Sequence, residues 1–346
     1  MAELDLTLLS SIEQVAPAEW NALCGTRAFV DHNWLRFTEA ALLGHQPRYV
    51  LLRRGGNLVA AAICAVERRF ANPALQQRAG WVLRQLPCIR CAVPVVSECG
   101  LVFQPGVDEE RLVPALLAGL RQLAIRERAL FTTVGHVPFH ASTWQALRAA
   151  GCTPISQWQN TTLAIEWSSF DEYLSARPGD DRHEIRRMSR RAEREGITVE
   201  HAPLASQELP FLWRLIGNVQ RRHNGDAAYA GELLERALAI LGTDVHLLVA
   251  RQSDETIGCV VLVRNQGELI AKWLGLDYDR TLNTATYFTS LTASVDLAIR
   301  LGVHRLRLGA TAYSTKQQFG VAIDDRVNAV LLPTALGRLA NVARAA

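Results

Sequence analysis

The feature that most constrains the fold is a set of three apolar runs separated only by short polar turns. Val245–Arg251 (V-H-L-L-V-A-R), Ile257–Val263 and Leu269–Leu276 are each long enough for a strand. Ser253-Asp254-Glu255 and Asn265-Gln266-Gly267 divide them. Connections this short leave no room for a crossover, so the three runs must form an antiparallel meander. A loop, Asp277–Asn283, follows. Tyr287, Leu291, Val295, Ala298 and Ile299 then recur at helical spacing and share one face. Gly302 suits the position just past that helix, and Val303–Leu308 reads as a further strand. The second half therefore predicts strand, strand, strand, helix, strand.

The first half follows the same plan more loosely. Tyr49–Leu52 and Leu58–Val66 flank Arg54-Gly55-Gly56-Asn57, a hairpin signal. Cys99–Phe103 is the candidate third strand, Arg111–Arg126 the helix with Pro114 near its start, and Ala129–Val134 the next strand. A strand over Thr161–Ile165 is expected to close this unit, with the join near Trp158–Trp167. The expectation is an α+β protein of two tandem units, residues 1–165 and 166–346, each a mixed, largely antiparallel sheet flanked by helices.

Composition agrees: the 346 residues are 49% hydrophobic and 21% charged, enough to bury two cores. The longest uncharged apolar run, Leu58–Val66, is too short to cross a bilayer, and the acidic start Met-Ala-Glu-Leu-Asp does not resemble a signal peptide. A cytoplasmic location is expected. The net charge of +3 is too balanced to announce nucleic-acid binding. Lysine occurs only at Lys272 and Lys316; every other basic residue is arginine. The seven cysteines are scattered and odd in number, which argues against a disulfide framework. Cys88-x-x-Cys91 with His136 and His140 has the residue types of a zinc site, but Pro138 separates the histidines and no second C-x-x-C exists. Buried thiols and loop histidines are the favoured reading, and no metal is expected. Trp81, Trp144, Trp158, Trp167, Trp213 and Trp273 are read as core or groove walls, with Trp273 counted on the substrate side.

Two segments hold the candidate chemistry. From Arg182 onward, R-P-G-D-D-R-H-E-I-R-R-M-S-R-R-A-E-R-E-G (Arg177–Gly196) reads as a helix. Arg182, Arg186 and Arg190 lie four apart on one side, with Ile185, Met188 and Ala192 as a docking seam. Such a row suits phosphates; the competing reading is a solvated face partly neutralised by Glu184, Glu193 and Glu195. The second segment is V-H-R-L-R-L-G-A-T-A-Y-S-T-K-Q-Q-F-G (Val303–Gly320). There Tyr313 offers a proton donor and Lys316 a compact positive charge, against the plainer reading of a surface turn.

These segments resemble the tandem-GNAT acyltransferases, the group of the FemABX peptidyltransferases and the BioF2-like (cellulose-biosynthesis-type) acetyltransferases. R-x-x-I-R-R-x-x-R-R-x-x-x-x-G (Arg182–Gly196), the lead-in S-S-F-D-E-Y-L (Ser168–Leu174) and L-R-L-G-A-x-x-x-x-x-K-x-x-F-G (Leu306–Gly320) carry the likeness. F-V-D-H-N-W-L (Phe29–Leu35), with Arg36 beyond it, is a fainter echo. The resemblance implies two GNAT-like domains with a cleft near their junction, and acyl transfer to an amine of a small molecule or cell-envelope precursor. It makes Lys316 the functional lysine and places Arg182 and Arg186 near phosphate or acceptor groups. Ordinary GNAT enzymes seat the CoA pyrophosphate on a glycine-containing loop at a helix N-terminus. Here that loop, Asp277–Thr286, has no glycine.

Asp277 is the candidate base, and Tyr313 or Lys316 would stabilise or protonate what leaves. Acyl-CoA is the expected donor, favoured by the fold. Aminoacyl-tRNA is the alternative, favoured by the missing loop and the arginine row. A catalytically silent binding protein and a plain RNA-binding module stand behind both. No G-x-S-x-G elbow, P-loop, dinucleotide fingerprint or H-E-x-x-H helix is present.

Overall fold

The structure, a computed structural model, describes residues 4–42, 44–69, 73–156, 159–204, 208–222 and 232–332. The chain divides into two compact units, residues 1–157 with 325–346, and residues 158–324. Trp158 lies outside the described residues.

In the first unit β1 (Leu4–Leu9), β2 (Pro47–Arg54), β3 (Asn57–Glu67) and β4 (Cys88–Val93) pair antiparallel in that order. β5 (Glu98–Cys99) and β6 (Leu101–Phe103) attach to β4 and β3. β7 (Phe131–Pro138) pairs parallel with β4, and β8 (Thr153–Ile155) lies at the far edge. The β2–β3 turn follows its sequence signal: Gly55 and Gly56 take φ of 56° and 85°, the left-handed geometry of a tight hairpin. The expected third strand, Cys99–Phe103, is broken in two at Gly100, and the place beside β3 is shared with the C-x-x-C segment, β4. Gly100 approaches so closely that a Cβ would lie 2.5 Å from the Ile63 carbonyl and 2.6 Å from the Ala92 amide.

The unit's helices are α1 (Pro17–Cys24), α2 (His32–Ala41), α3 (Pro73–Gln85), α4 (Glu109–Arg126) and α5 (Ser142–Ala149). α2 begins inside F-V-D-H-N-W-L, where Asp31 caps the Trp34 amide at 3.0 Å. α4 buries Leu112, Val113, Leu116, Leu117, Leu120 and Leu123 against the sheet, each at about 1.5–3 kcal/mol.

In the second unit β10 (Ile197–Ala202), β11 (Val245–Gln252), β12 (Glu255–Asn265) and β13 (Glu268–Leu276) form the expected antiparallel meander, preceded by the edge strand β10. β14 (Arg305–Gly309) pairs parallel with β13. β9 (Thr161–Ala164) and β15 (Ala322–Ile323) complete the sheet. The helices are α6 (Phe170–Ser175), α7 (Gly179–Arg194), α8 (Leu209–Arg222), α9 (Leu233–Leu241), α10 (Tyr278–Thr281), α11 (Thr286–Arg300) and α12 (Tyr313–Gln317). The five residues read as the face of α11 include Leu291, Val295, Ala298 and Ile299, all buried, while Tyr287 is partly covered.

One expectation is overturned by register. Thr161–Ile165 was to close the first sheet, but β9 pairs antiparallel with β14 in the second. The place beside β7 in the first sheet is filled by β16 (Arg326–Leu331), from the end of the second half. Each half thus lends its last strand to the other unit's sheet, and a boundary at 165 gives way to crossings at 157/158 and 324/325. With those strands exchanged the two sheets have the same order: a four-stranded antiparallel run, a parallel neighbour, then an antiparallel strand.

Candidate functional site

The site is built where β13 and β14 end side by side. Their pairing spans only Glu268–Ile270 opposite Arg305–Arg307, yet β13 runs on to Leu276 and β14 to Gly309. The strands part because β13 carries a bulge: Val261 faces Trp273 while Leu262 faces Ala271, so Lys272 is the extra residue. α8 covers the free half of β13. A Cβ on Gly275 would meet Leu215 Cβ at 2.8 Å and the Ile216 amide at 2.9 Å, and Asn218 donates to the Leu276 carbonyl at 3.1 Å.

Because the strands are parallel, Asp277 and the 309–316 turn emerge at the same end of the sheet. Asp277 is half-buried; its carboxylate accepts the Asp279 amide at 3.2 Å and caps α10. Gly309, Thr311 and Ala312 all take left-handed φ, at 70°, 68° and 47°. Two of these three have side chains, so the turn holds backbone strain of the kind found at built sites.

Lys316 over-determines that turn. It is 3% exposed, and its ammonium donates to the carbonyls of Leu308 (2.7 Å), Gly309 (3.2 Å) and Ala310 (2.9 Å). All three of its N–H donors are engaged. Burial draws its pKa down to about 8, while the three carbonyl dipoles favour the cation, so the side chain is charged at neutral pH. The phenol of Tyr313 donates to the Gln159 carbonyl at 2.8 Å, fixing α12 against the start of β9. The remaining parts of the lysine motif serve the same end. Phe319 is fully buried against Phe288, and its carbonyl accepts the Tyr173 hydroxyl of the S-S-F-D-E-Y-L lead-in at 3.1 Å. Gly320, at φ 75°, makes room for Arg177, whose guanidinium lies over the rings of Trp167 and Tyr173.

α7 buries the expected seam of Ile185, Met188 and Ala192. Its arginines differ in what they do. Arg182 donates to the carbonyls of Ser175 and Arg177, tying down the turn that precedes the helix. Arg187 pairs with Glu184 at 2.6 Å. Arg186 and Arg190 are exposed and form no ion pair among the described residues. Trp273, on β13, is 3% exposed. The structure thus gathers Asp277, Tyr313 and Lys316 at one end of the sheet, with Trp273 on the strand leading there, and sets Arg186 and Arg190 on a helix surface.

The feature missed from sequence is Glu195. It ends α7, and its carboxylate accepts the Ala285 amide at the start of α11 at 2.8 Å. Arg191 holds the other oxygen at 2.7 Å and also donates to the Asn283 carbonyl. A second amide, that of Thr286, is taken by the Thr284 hydroxyl at 3.3 Å. Burial by itself would raise the Glu195 pKa, but the amide and the guanidinium outweigh it and hold the carboxyl below its ordinary value. At the start of α11, where a GNAT enzyme offers amides to pyrophosphate, those of Ala285 and Thr286 are therefore taken by the chain's own side chains. No signal at Glu195 separates it from Glu193, because which glutamate reaches α11 is a tertiary fact.

Cys88 and Cys91 are buried on opposite faces of β4, and burial pushes the Cys88 thiol up to about 12. His140 is exposed beside Asp325. Among the described residues no group of three or more His, Cys, Asp or Glu is placed to hold a metal. Among them, too, no helix is long and apolar enough to cross a membrane.

Comparison with known proteins agrees with this architecture. A crystal structure of FemX superposes with TM-score 0.64 at 12% identity, over 96% of this chain and 99% of that one. A tandem GNAT protein from the clavulanic acid biosynthesis pathway gives 0.57 at 14% identity, over 95% and 98%. The C-terminal domain of a putative lysylphosphatidylglycerol synthetase from Agrobacterium fabrum gives 0.57 at 14%, over 94% of each. At these identities the likeness shows the fold: two GNAT-like domains in tandem. No curated protein matches the sequence. The profile of the FemAB-like family, described as peptidoglycan biosynthesis/recognition, matches residues 11–322.

Proposed function

This chain belongs to the FemAB-like family, and from that premise we propose that it transfers an aminoacyl group from aminoacyl-tRNA to an amine of a peptidoglycan precursor. Family and fold support an acyl- or aminoacyltransferase; the donor is our reading. The observation that carries it is Glu195. With the Glu195 carboxylate on the Ala285 amide and the Thr284 hydroxyl on that of Thr286, a pyrophosphate approaching α11 meets donors that are already engaged. That weighs against acyl-CoA, the donor favoured by the fold, and for an ester whose phosphates are met elsewhere. Arg186 and Arg190, exposed and without carboxylate partners among the described residues, suit an RNA backbone.

In this reading a neutral amine attacks the ester carbonyl. The C–N bond forms, the C–O ester bond breaks, and the proton lost by the amine accompanies the departing 3′-hydroxyl. Asp277 is the proposed base, acting directly or through water. Backbone amides of β13 beyond Ile270 are the proposed donors to the carbonyl oxygen. Lys316, its three donors engaged, is a positioning residue that holds the strand-end turn, and Tyr313 fixes α12 beside it.

The test offers purified protein a mixture of aminoacyl-tRNAs, or acetyl-CoA, with a nucleotide-linked muropeptide, and weighs the products by mass spectrometry. An aminoacyl increment on the precursor is expected. An acetyl increment, or binding of the precursor with no product from either donor, contradicts the reading.

A further inference from the structure

One surface of the first unit has no part in that chemistry. On α3 the buried side is taken by Leu83, at 0% exposure, while Trp81 points outward at 63%. Beyond the helix Leu86 is 44% exposed. The Pro87 carbonyl then accepts the Leu130 amide at 2.7 Å, so the chain leaving α3 and the chain leaving α4 enter the sheet at the same end. There Ile125 is 79% exposed. Three large apolar side chains on one end of a unit are costly to leave in water and mark a docking surface.

The charge around them has one sign. From Arg68 to Ser97 the sequence holds five arginines and no acidic residue. Arg78 and Arg84 are exposed on α3, and Arg126 on α4. The carboxylates that flank these stretches in sequence are already neutralised: Glu67 by Arg90 at 3.3 Å, Glu98 by Arg326 at 3.0 Å and Glu127 by Arg48 at 2.7 Å. The acids of α4, Glu109 and Glu110, sit in its first turn, about 24 Å away along the helix axis. Trp81, named above as a core or groove residue, is neither. An exposed tryptophan with flanking aliphatics and a rim of arginine is the composition of an interfacial anchor: the indole sits among headgroups and the guanidiniums meet anionic lipid.

We propose that this end of the first unit, α3 with the end of α4, docks on the surface of an anionic phospholipid bilayer. The proposal does not depend on the donor or the acceptor, because docking is read with neither present.

The experiment is flotation of the full chain with vesicles of phosphatidylglycerol and phosphatidylcholine, against vesicles of phosphatidylcholine alone. Wild type is expected to float with the anionic vesicles, to leave them at high salt, and to ignore the neutral ones. The double variant Arg78→Gln/Arg84→Gln should partition about 30-fold less, at ~1 kcal/mol for each basic residue near the surface. Trp81→Ala should also partition less. All three positions are exposed, so melting temperatures should match wild type and separate lost docking from lost folding. Equal flotation of wild type and both variants, or none by wild type, overturns the proposal. So does sedimentation without lipid in which wild type dimerises and Trp81→Ala does not, which would give the surface to a second copy of the chain.

Discussion

Lys316 is the residue on which the sequence and the structure speak most differently. As one of two lysines in an arginine-rich chain it invites a role in contact with substrate. The structure gives it three carbonyls and almost no exposure. Replacing it with methionine leaves those carbonyls unsatisfied, so Lys316→Met is expected to cost about 2–4 kcal/mol in urea unfolding. Positioning and proton transfer can be told apart by the pH profile. A positioning lysine lowers kcat/KM in the variant and leaves the shape of the profile unchanged. If the wild type shows an alkaline limb near its pKa of about 8 and the variant lacks it, the amine itself moves the proton. The motif around Lys316 was legible as a pattern, but its physical content was not. That Gly320 is the seat of Arg177, or that Phe319 fills the core against Phe288, depends on side chains far apart in the chain.

At the scale of elements, local information was enough wherever turns were short. The meander β11–β12–β13 and the helix α11 follow from punctuation and periodicity. The exchange of β9 and β16 does not, since a strand of four or six residues carries no record of which sheet it will join. Gly100 broke the expected third strand of the first unit for a similar reason, a backbone approach invisible in one dimension. For α7 the reading of a face neutralised by its own glutamates accounts for part of the arginine row. Arg187 and Arg191 are paired within the protein, whereas Arg186 and Arg190 are exposed without carboxylate partners among the described residues. If those two meet RNA phosphates, Arg186→Glu/Arg190→Glu should weaken tRNA binding. It should also flatten the slope of log K against log salt by about 1.4–1.8. Filter binding across a salt series measures both, and an unchanged slope removes the row from the RNA footprint.

For the molecule as a whole, the buried titratable groups set the pH range of stability. Burial pushes Cys24, Cys88, Cys99 and Cys259 up to about 12 and Cys152 to about 11. A thiol whose folded pKa is raised stabilises the fold below its unfolded value, and that contribution is lost as pH climbs beyond about 9. Lys316 works the other way between about 8 and 10.5, but it is one group against five. On the acid side burial holds His45 and His246 down to about 4, so the unfolded chain takes up protons first and stability falls between about 6.5 and 4. Urea unfolding under reducing conditions should therefore show a plateau from about pH 6.5 to 9, with the steeper loss on the alkaline side. A maximum above pH 10 would mean the thiols are not buried as described.

The choice of donor depends on the start of α11, and there a single titration decides. Acetyl-CoA is added to wild type and to Glu195→Ala while heat and melting temperature are followed. Wild type is expected to show no saturable binding at concentrations that fill a GNAT enzyme. The variant, its Ala285 amide freed at about 1–2 kcal/mol of stability, is expected to gain whatever weak affinity is seen. Tight binding of acetyl-CoA by wild type, undiminished by the carboxylate of Glu195, would contradict the aminoacyl-tRNA reading.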